Sequence, residues 1–162
     1  MDDSVRVDVL VFDYLAELTM SILRKQQLKY PELCYARDFV TQLETCLPLI
    51  AENGVKVITN AGGVNPAGLG RKIQAMVRQR GLSLKVGVVY GDDINGRLDE
   101  LTAAGERFTN MENGAAFGPV KDRVIAANVY LGAEPVVAAL AAGCDIIVTG
   151  RVTLGFMPLY GS

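Results

Sequence analysis

Residues 55–70 run from an apolar segment through a glycine-rich loop into the start of a helix. Residues 55–60 (Val-Lys-Val-Ile-Thr-Asn) have the β-branched composition of a buried strand. After the glycines, Asn65 is a good N-cap, and Pro66 fits the first helical position, where its missing N–H costs nothing. This order of strand, loop and helix predicts an open α/β sheet, in which ligands bind at the carboxyl ends of the strands.

Four apolar segments are predicted to be strands of one mostly parallel sheet. Their near-continuous apolar character is typical of strands that helices cover on both faces. The predicted strands are 7–12, 55–60, 84–90 and 145–149, with a short extra strand within 123–130. The predicted helices are 15–28, 36–52, 67–80, 96–104 and 135–142, and residues 105–122 are predicted to form a long surface loop. Pro48 is expected to kink the second helix or to end it early.

These elements predict a single α/β domain over residues 1–153, doubly wound and Rossmann-like, followed by an atypical tail of residues 154–162. The predicted sheet is incomplete, because no helix follows its last strand. In the tail, Phe156, Met157 and Leu159 are poorly suited to solvent. We therefore expect a second subunit to cover an exposed edge or face, and we predict a homo-oligomer.

Composition excludes several classes of function. The 162 residues include 16 Lys and Arg against 18 Asp and Glu, a net charge of −2, so nothing favours nucleic acid or an anionic membrane as a partner. No apolar run reaches the roughly 18 residues that span a bilayer, and the acidic start is unlike a signal peptide, which predicts a cytoplasmic protein. Cys34, Cys46 and Cys144 are expected to be reduced core thiols.

The chain contains no histidine, and this limits the chemistry it can perform. A Ser-His-Asp triad, a Cys-His pair, a His-based zinc site and a His general base are all excluded within one chain. The glycine-rich loop is neither a P-loop, since no Gly-Lys-Ser/Thr follows, nor a dinucleotide fingerprint, since Ile73 replaces the third glycine. It is either an anion- or carbonyl-binding turn or a purely structural one, and the cofactor, if there is one, stays open.

Polar side chains follow the predicted strands and supply the candidate catalytic residues, Asp13, Glu17, Asp92 and Asp93. Such carboxylates can act as general acid and base, and a magnesium site is the less favoured use. Three of them also have a structural alternative: Asp92 or Asp93 could cap the next helix, and Glu17 could favour the first helical turn. Arg151, after the last strand, could clamp a carboxylate or phosphate, or pair with a neighbouring aspartate. The backbone of Gly62 and Gly63 and the side chains of Tyr14, Asn60, Asn65 and Tyr130 complete the binding candidates.

Three parts of the chain together resemble the acyclic terpene utilisation family, bacterial proteins linked to the catabolism of citronellol and geraniol. They are 11–20 (VFDYLAELTM), 58–66 (ITNAGGVNP) and 127–133 (ANVYLGA) with 145–153 (DIIVTGRVT). Family members look longer at both ends, so the resemblance implies a truncated homologue. It also implies an association with branched or terpenoid acids, as coenzyme A thioesters. The matching positions that carry over as site residues are Asp13, Tyr14, Glu17, Asn60, Gly62, Gly63, Asn65, Asn128, Tyr130 and Arg151.

The sequence therefore predicts an α/β enzyme domain that acts on a small carboxylate or acyl thioester by hydrolase- or lyase-type chemistry without histidine. Two other hypotheses stay open. One is a carboxylate-dependent hydrolase such as a glycosidase. The other is a non-catalytic ligand-binding or assembly module left from a longer enzyme.

Overall fold

Four parallel strands form the centre of the protein in a computed structural model that describes residues 6–153. The strands are β1 (Val9–Phe12), β2 (Lys56–Thr59), β3 (Val86–Val89) and β4 (Ile146–Thr149). They lie in the order β1-β2-β4-β3, and all three neighbouring pairs are parallel. The α/β class and the four predicted strands are confirmed, whereas the expectations for the tail fall outside the described residues.

The helices begin and end within two residues of the predicted positions. They are α1 (Glu17–Gln27), α2 (Arg37–Asn53), α3 (Pro66–Gln79), α4 (Leu98–Ala103) and α5 (Glu134–Ala141), with 3-10 turns at Pro31–Leu33, Asn95–Arg97 and Gly118–Arg123. Asn65 is the N-cap of α3 and Pro66 its first residue, as predicted.

Two sequence-based expectations need correction. Of the two effects expected of Pro48, the early end of α2 is wrong, because the helix continues to Asn53 with Leu47 and Ile50 buried in the core, whereas a kink stays a prediction. Residues 123–130 form no strand, since they make only an isolated bridge between Asp93 and Asn128. That segment lies beside the loop after β3 rather than in the sheet.

Helices cover both faces of the sheet, because successive side chains of a strand point to opposite sides. On one face, Val57, Ile146 and Val148 pack against α2 and α3. On the other face, Ile58 and Ile147 pack against α5. All four residues of β4 are buried, as expected for a strand between two neighbours with helices on both faces.

The cysteines differ in burial. Cys34 and Cys144 are buried, but Cys46 on α2 is exposed, so its prediction as a core thiol is wrong. All three thiols are free. Within residues 6–153, no helix is both long and apolar enough to cross a membrane.

Helix α1 lies across the carboxyl ends of the strands rather than on a face of the sheet. Its buried residues Met20 and Leu23 belong to neither of the two core clusters. Leu23 packs so closely against Gly63, after β2, that a Cβ there would lie 2.5 Å from its Cδ1 atom. The side chain of Arg24 pairs at 2.8 Å with Asp93, after β3. The sheet edge at which α/β proteins bind ligands is therefore partly covered by α1.

Asp92 joins three chain segments at this edge. Its side chain is 3% exposed, and its Oδ2 atom accepts hydrogen bonds from the Asn128 amide at 2.9 Å and from the Arg151 backbone N–H at 2.8 Å. Buried polar groups are expensive to leave unpaired, so this carboxylate fixes where the residues after β4 lie.

We expect Asp92→Ala to lower the free energy of unfolding by about 2–4 kcal/mol, because it leaves a buried backbone donor and a half-buried amide donor unpaired. Urea unfolding followed by circular dichroism measures the change. Asp122→Ala, which removes an exposed carboxylate, is the control and should change stability by less than about 0.5 kcal/mol. Equal effects of the two substitutions would contradict the structural role of Asp92.

Candidate functional site

A cavity of about 300 Å³ lies at the carboxyl ends of the strands, beside the start of α1. We call it the edge cavity. It contains five of the twelve predicted site residues. The residues that line it are Asp13, Leu15, Ala16, Glu17, Asn60, Tyr130, Arg151, Val152 and Thr153. A larger cavity of about 640 Å³ between the β1 edge and α2 is lined mainly by apolar side chains and contains none of the predicted site residues.

Arg151 is the central cation of the edge cavity. Its side chain is only 8% exposed, and its guanidinium carbon lies 4.5 Å from the centre of the Tyr130 ring. Nη1 donates a hydrogen bond to the Leu15 carbonyl at 3.1 Å, and Nη2 donates to Glu17 Oε1 at 2.5 Å and to the Tyr130 hydroxyl. The ring, the carbonyl and the carboxylate hold the guanidinium in one orientation.

Glu17 is the exposed partner of this cation. Its side chain is 84% exposed, and its Oε1 atom also accepts a hydrogen bond from the Tyr130 hydroxyl at 3.0 Å. The pKa of Glu17 is lowered, first by its own backbone N–H, then by Tyr130, and then by the charge of Arg151. Glu17 is therefore an ionised carboxylate at neutral pH, which suits a hydrogen-bond acceptor or a base rather than an acid.

Asp13 and Asn60 form the other side of the edge cavity. The Asn60 side chain is buried; its Nδ2 donates to Asp13 Oδ1 at 2.7 Å, and its Oδ1 accepts from the Tyr14 backbone N–H at 2.7 Å. The Leu15 N–H also donates to Asp13 Oδ1, at 3.1 Å. Among the described residues, both hydrogen bonds that Asp13 accepts go to Oδ1, so Oδ2 is the oxygen left for a ligand.

The other predicted carboxylates lie outside the edge cavity. Asp92 binds Asn128 and the backbone of Arg151, so both it and Asn128 serve the architecture. Asp93 pairs with Arg24 and accepts a hydrogen bond from the Asn95 N–H at 2.9 Å. Neither aspartate caps the following helix, which was the structural alternative for this pair; both bind distant parts of the chain instead.

The glycine-rich loop packs against its neighbours instead of lining the cavity. A Cβ at Gly62 would lie 2.5 Å from the Thr149 carbonyl oxygen, and Gly63 has a φ of +56°, which favours glycine. Asn65 Oδ1 accepts from the Gly68 N–H at 2.9 Å, while its Nδ2 donates to the carbonyl oxygens of Pro31 and Glu32. The loop thus joins β2, α3 and the 31–34 segment.

Tyr14 faces α2 rather than the edge cavity. Its hydroxyl donates to Gln42 Oε1 at 2.6 Å, and its ring lies 5.7 Å from that of Phe39. Burial and the nearby charge of Asp38 raise the pKa of Tyr14. Only its backbone N–H, through Asn60, contributes to the shape of the site.

Sequence reasoning missed the backbone groups of the site and the partner of Asp93. The contact of Arg151 with the Leu15 carbonyl could not be predicted from residue types, because every residue carries a carbonyl oxygen. An arginine on a helix is usually expected to point into solvent. The tertiary fold brings Arg24 to Asp93, which lies far away in the sequence. Within residues 6–153, no group of three or more acidic or cysteine side chains is arranged to hold a metal ion.

We expect the Glu17 contacts to stabilise the fold most at pH values above the ordinary glutamate pKa of about 4.3. Because the folded-state pKa is lowered, this stabilisation is lost as the pH falls through that lowered value. The difference in urea-unfolding free energy between wild type and Glu17→Gln should be constant from about pH 6 to 8 and shrink below about pH 4. A difference that grows on acidification would contradict the lowered pKa.

Comparison with known protein families gives a match over most of the chain. The model of the family described as acyclic terpene utilisation family protein AtuA matches residues 1–153. A search of curated proteins and a search of solved structures each found no match. The match covers all the strands, the helices and every residue that lines the edge cavity. The chain belongs to the acyclic terpene utilisation family.

Proposed function

We propose that this protein binds a small carboxylate or an acyl thioester in the edge cavity and acts on it by carboxylate-based acid–base chemistry. The observation that carries the proposal is the guanidinium of Arg151, which is buried, oriented and in the same cavity as Asp13. Family membership supports a role in terpene utilisation. The chemistry follows from the residues of the cavity.

Ligand binding begins with the exchange of one carboxylate for another. Glu17 already places a carboxylate oxygen 2.5 Å from Arg151 Nη2, which supports access of such a group to the guanidinium. Since Glu17 is 84% exposed, its side chain can turn into solvent at small cost. A ligand carboxylate or a thioester carbonyl oxygen then takes its place and accepts hydrogen bonds from Arg151 and the Tyr130 hydroxyl.

Asp13 is the general base of the proposed reaction. The Asn60 amide and the Leu15 N–H hold its Oδ1 atom, so Oδ2 accepts a proton from the substrate. The negative charge that develops on the substrate carbonyl oxygen lies next to Arg151 and Tyr130. A positioned general base of this kind contributes roughly 10²–10⁴ to the rate.

We expect Asp13→Asn to lower kcat by about 10²–10⁴-fold with little change in KM, because the amide keeps the Oδ1 acceptor but cannot take up a proton. The probes are the coenzyme A thioesters of citronellate and geranate, the acids that correspond to citronellol and geraniol, with product detected by mass spectrometry. Asp122→Asn, at an exposed site, is the control and should keep wild-type turnover. Full activity of Asp13→Asn would exclude this base.

Binding has its own test. Arg151→Lys should raise the Kd of citronellate by about tenfold or more, because lysine cannot both bind the Leu15 carbonyl and a carboxylate in the geometry of the guanidinium and stack on Tyr130. Glu17→Gln should lower the same Kd severalfold, since the competing charge is gone. Isothermal titration calorimetry measures both, and Arg71→Lys, an exposed cation, is the control. Unchanged affinity in both variants would place the ligand elsewhere.

A second candidate function is a non-catalytic ligand-binding module. The observation that favours it is the use of the acidic residues: Arg151 neutralises Glu17, while Asp92 and Asp93 hold structural donors. Binding of citronellate without turnover of any thioester would support this candidate over the enzyme. A glycosidase-type hydrolase is less favoured, because it needs one protonated carboxyl group and the pKa of Glu17 is lowered.

A further inference from the structure

The outer side of α1 is an apolar surface without a partner among the described residues. Leu18 and Ile22 lie one turn apart on this helix and are 72% and 46% exposed. Beside them runs the segment 125–130, in which Ile125, Val129 and Tyr130 are 49%, 38% and 58% exposed. We call these five residues the α1 face.

Two polar contacts hold the two parts of the α1 face side by side. The Tyr130 hydroxyl donates to Glu17 at the start of α1, and Arg24 Nε donates to the Ile125 carbonyl at 3.0 Å near its end. The helix and the segment therefore run side by side in opposite directions. Five exposed apolar residues on two neighbouring segments make this surface a candidate interaction site.

The charges that flank the α1 face identify its partner. Asp13 and Glu17 lie at the beginning of α1, and Lys25 and Lys29 lie at its end, all exposed. A surface with acidic groups at one end and basic groups at the other is complementary to itself when turned by 180°. In an antiparallel pair of α1 helices the two helix dipoles also point in opposite directions, which is electrostatically favourable. A parallel pair would instead place lysine against lysine.

We propose that the α1 face binds a second copy of this chain and forms a two-fold symmetric dimer in which the two α1 helices pack antiparallel about Ile22. In this register, residue 22 faces its own copy and residue 18 faces residue 26 of the partner subunit. By the same count, Lys29 of the partner subunit faces residue 15. That position lies between Asp13 and Glu17, so each subunit places a cation beside the edge cavity of the other.

The dimer does not depend on the proposed ligand or reaction, and its test needs neither. Sedimentation velocity from about 1 to 100 µM should give wild type a mass of twice the 17.4 kDa chain. Ile22→Glu should raise the dimer Kd by about thirtyfold or more, since it puts two charges on the two-fold axis. Because Ile22 is 46% exposed, this variant should keep wild-type circular dichroism. Lys29→Glu should weaken the dimer by about three- to tenfold and reduce its sensitivity to salt.

Leu49→Glu is the matched control, because Leu49 is 60% exposed on α2 and lines the larger apolar cavity on another surface. It should leave the dimer unchanged. A second measurement maps the contact: in a Cys46→Ser background, Ile22→Cys should form a covalent dimer with a short thiol cross-linker, and Leu49→Cys should not. A wild-type monomer at 100 µM, or dissociation by Leu49→Glu but not by Ile22→Glu, would overturn the proposal.

Discussion

The candidate site depends on one buried carboxylate that takes no part in its chemistry. Asp92 accepts hydrogen bonds from the backbone of Arg151 and from the side chain of Asn128, and so ties the end of β3 to the end of β4 and to the 127–130 segment. Arg151 and Tyr130 belong to the two segments that Asp92 joins. Asp92 therefore holds the Arg151 guanidinium and the Tyr130 ring in stacking contact. A buried acceptor is suited to this task, since the cost of an unpaired donor holds each partner in place.

Helix α1 changes how the carboxyl edge of this sheet can be used. In an open α/β sheet the helices lie on the faces and leave that edge accessible to ligands. Here Leu23 packs on Gly63 and Arg24 pairs with Asp93, so α1 covers the part of the edge over β2 and β3. The opening that is left lies at the start of the helix, where Glu17 meets Arg151. Cavity and helix are therefore parts of the same arrangement.

The strands and helices could be predicted because their signals are local. Apolar runs mark the strands, and Asn65 with Pro66 marks the start of α3. The edge cavity was predicted in part, since the ends of parallel strands must meet at one edge, and Asp13, Asn60 and Arg151 do so. The roles of Asp92 and Asp93 could not be predicted. Whether a carboxylate after a strand faces a ligand or a buried donor depends on segments far away in the chain, such as residues 127–130 and α1.

The glycine-rich loop shows why a motif-like segment need not hold the ligand. In a P-loop, glycines let the backbone approach a phosphate, whereas Gly62 and Gly63 let it approach the Thr149 carbonyl and Leu23. The absence of a Cβ atom thus permits close packing in this loop. The polar contact to the cavity is made by the neighbouring Asn60, which donates a hydrogen bond to Asp13. Because Asn60 binds both Asp13 and the Tyr14 N–H, it positions the carboxylate of the edge cavity, which the glycines themselves do not line. The glycines thus shape the site indirectly, because they allow α1 and the end of β4 to pack closely against the loop after β2.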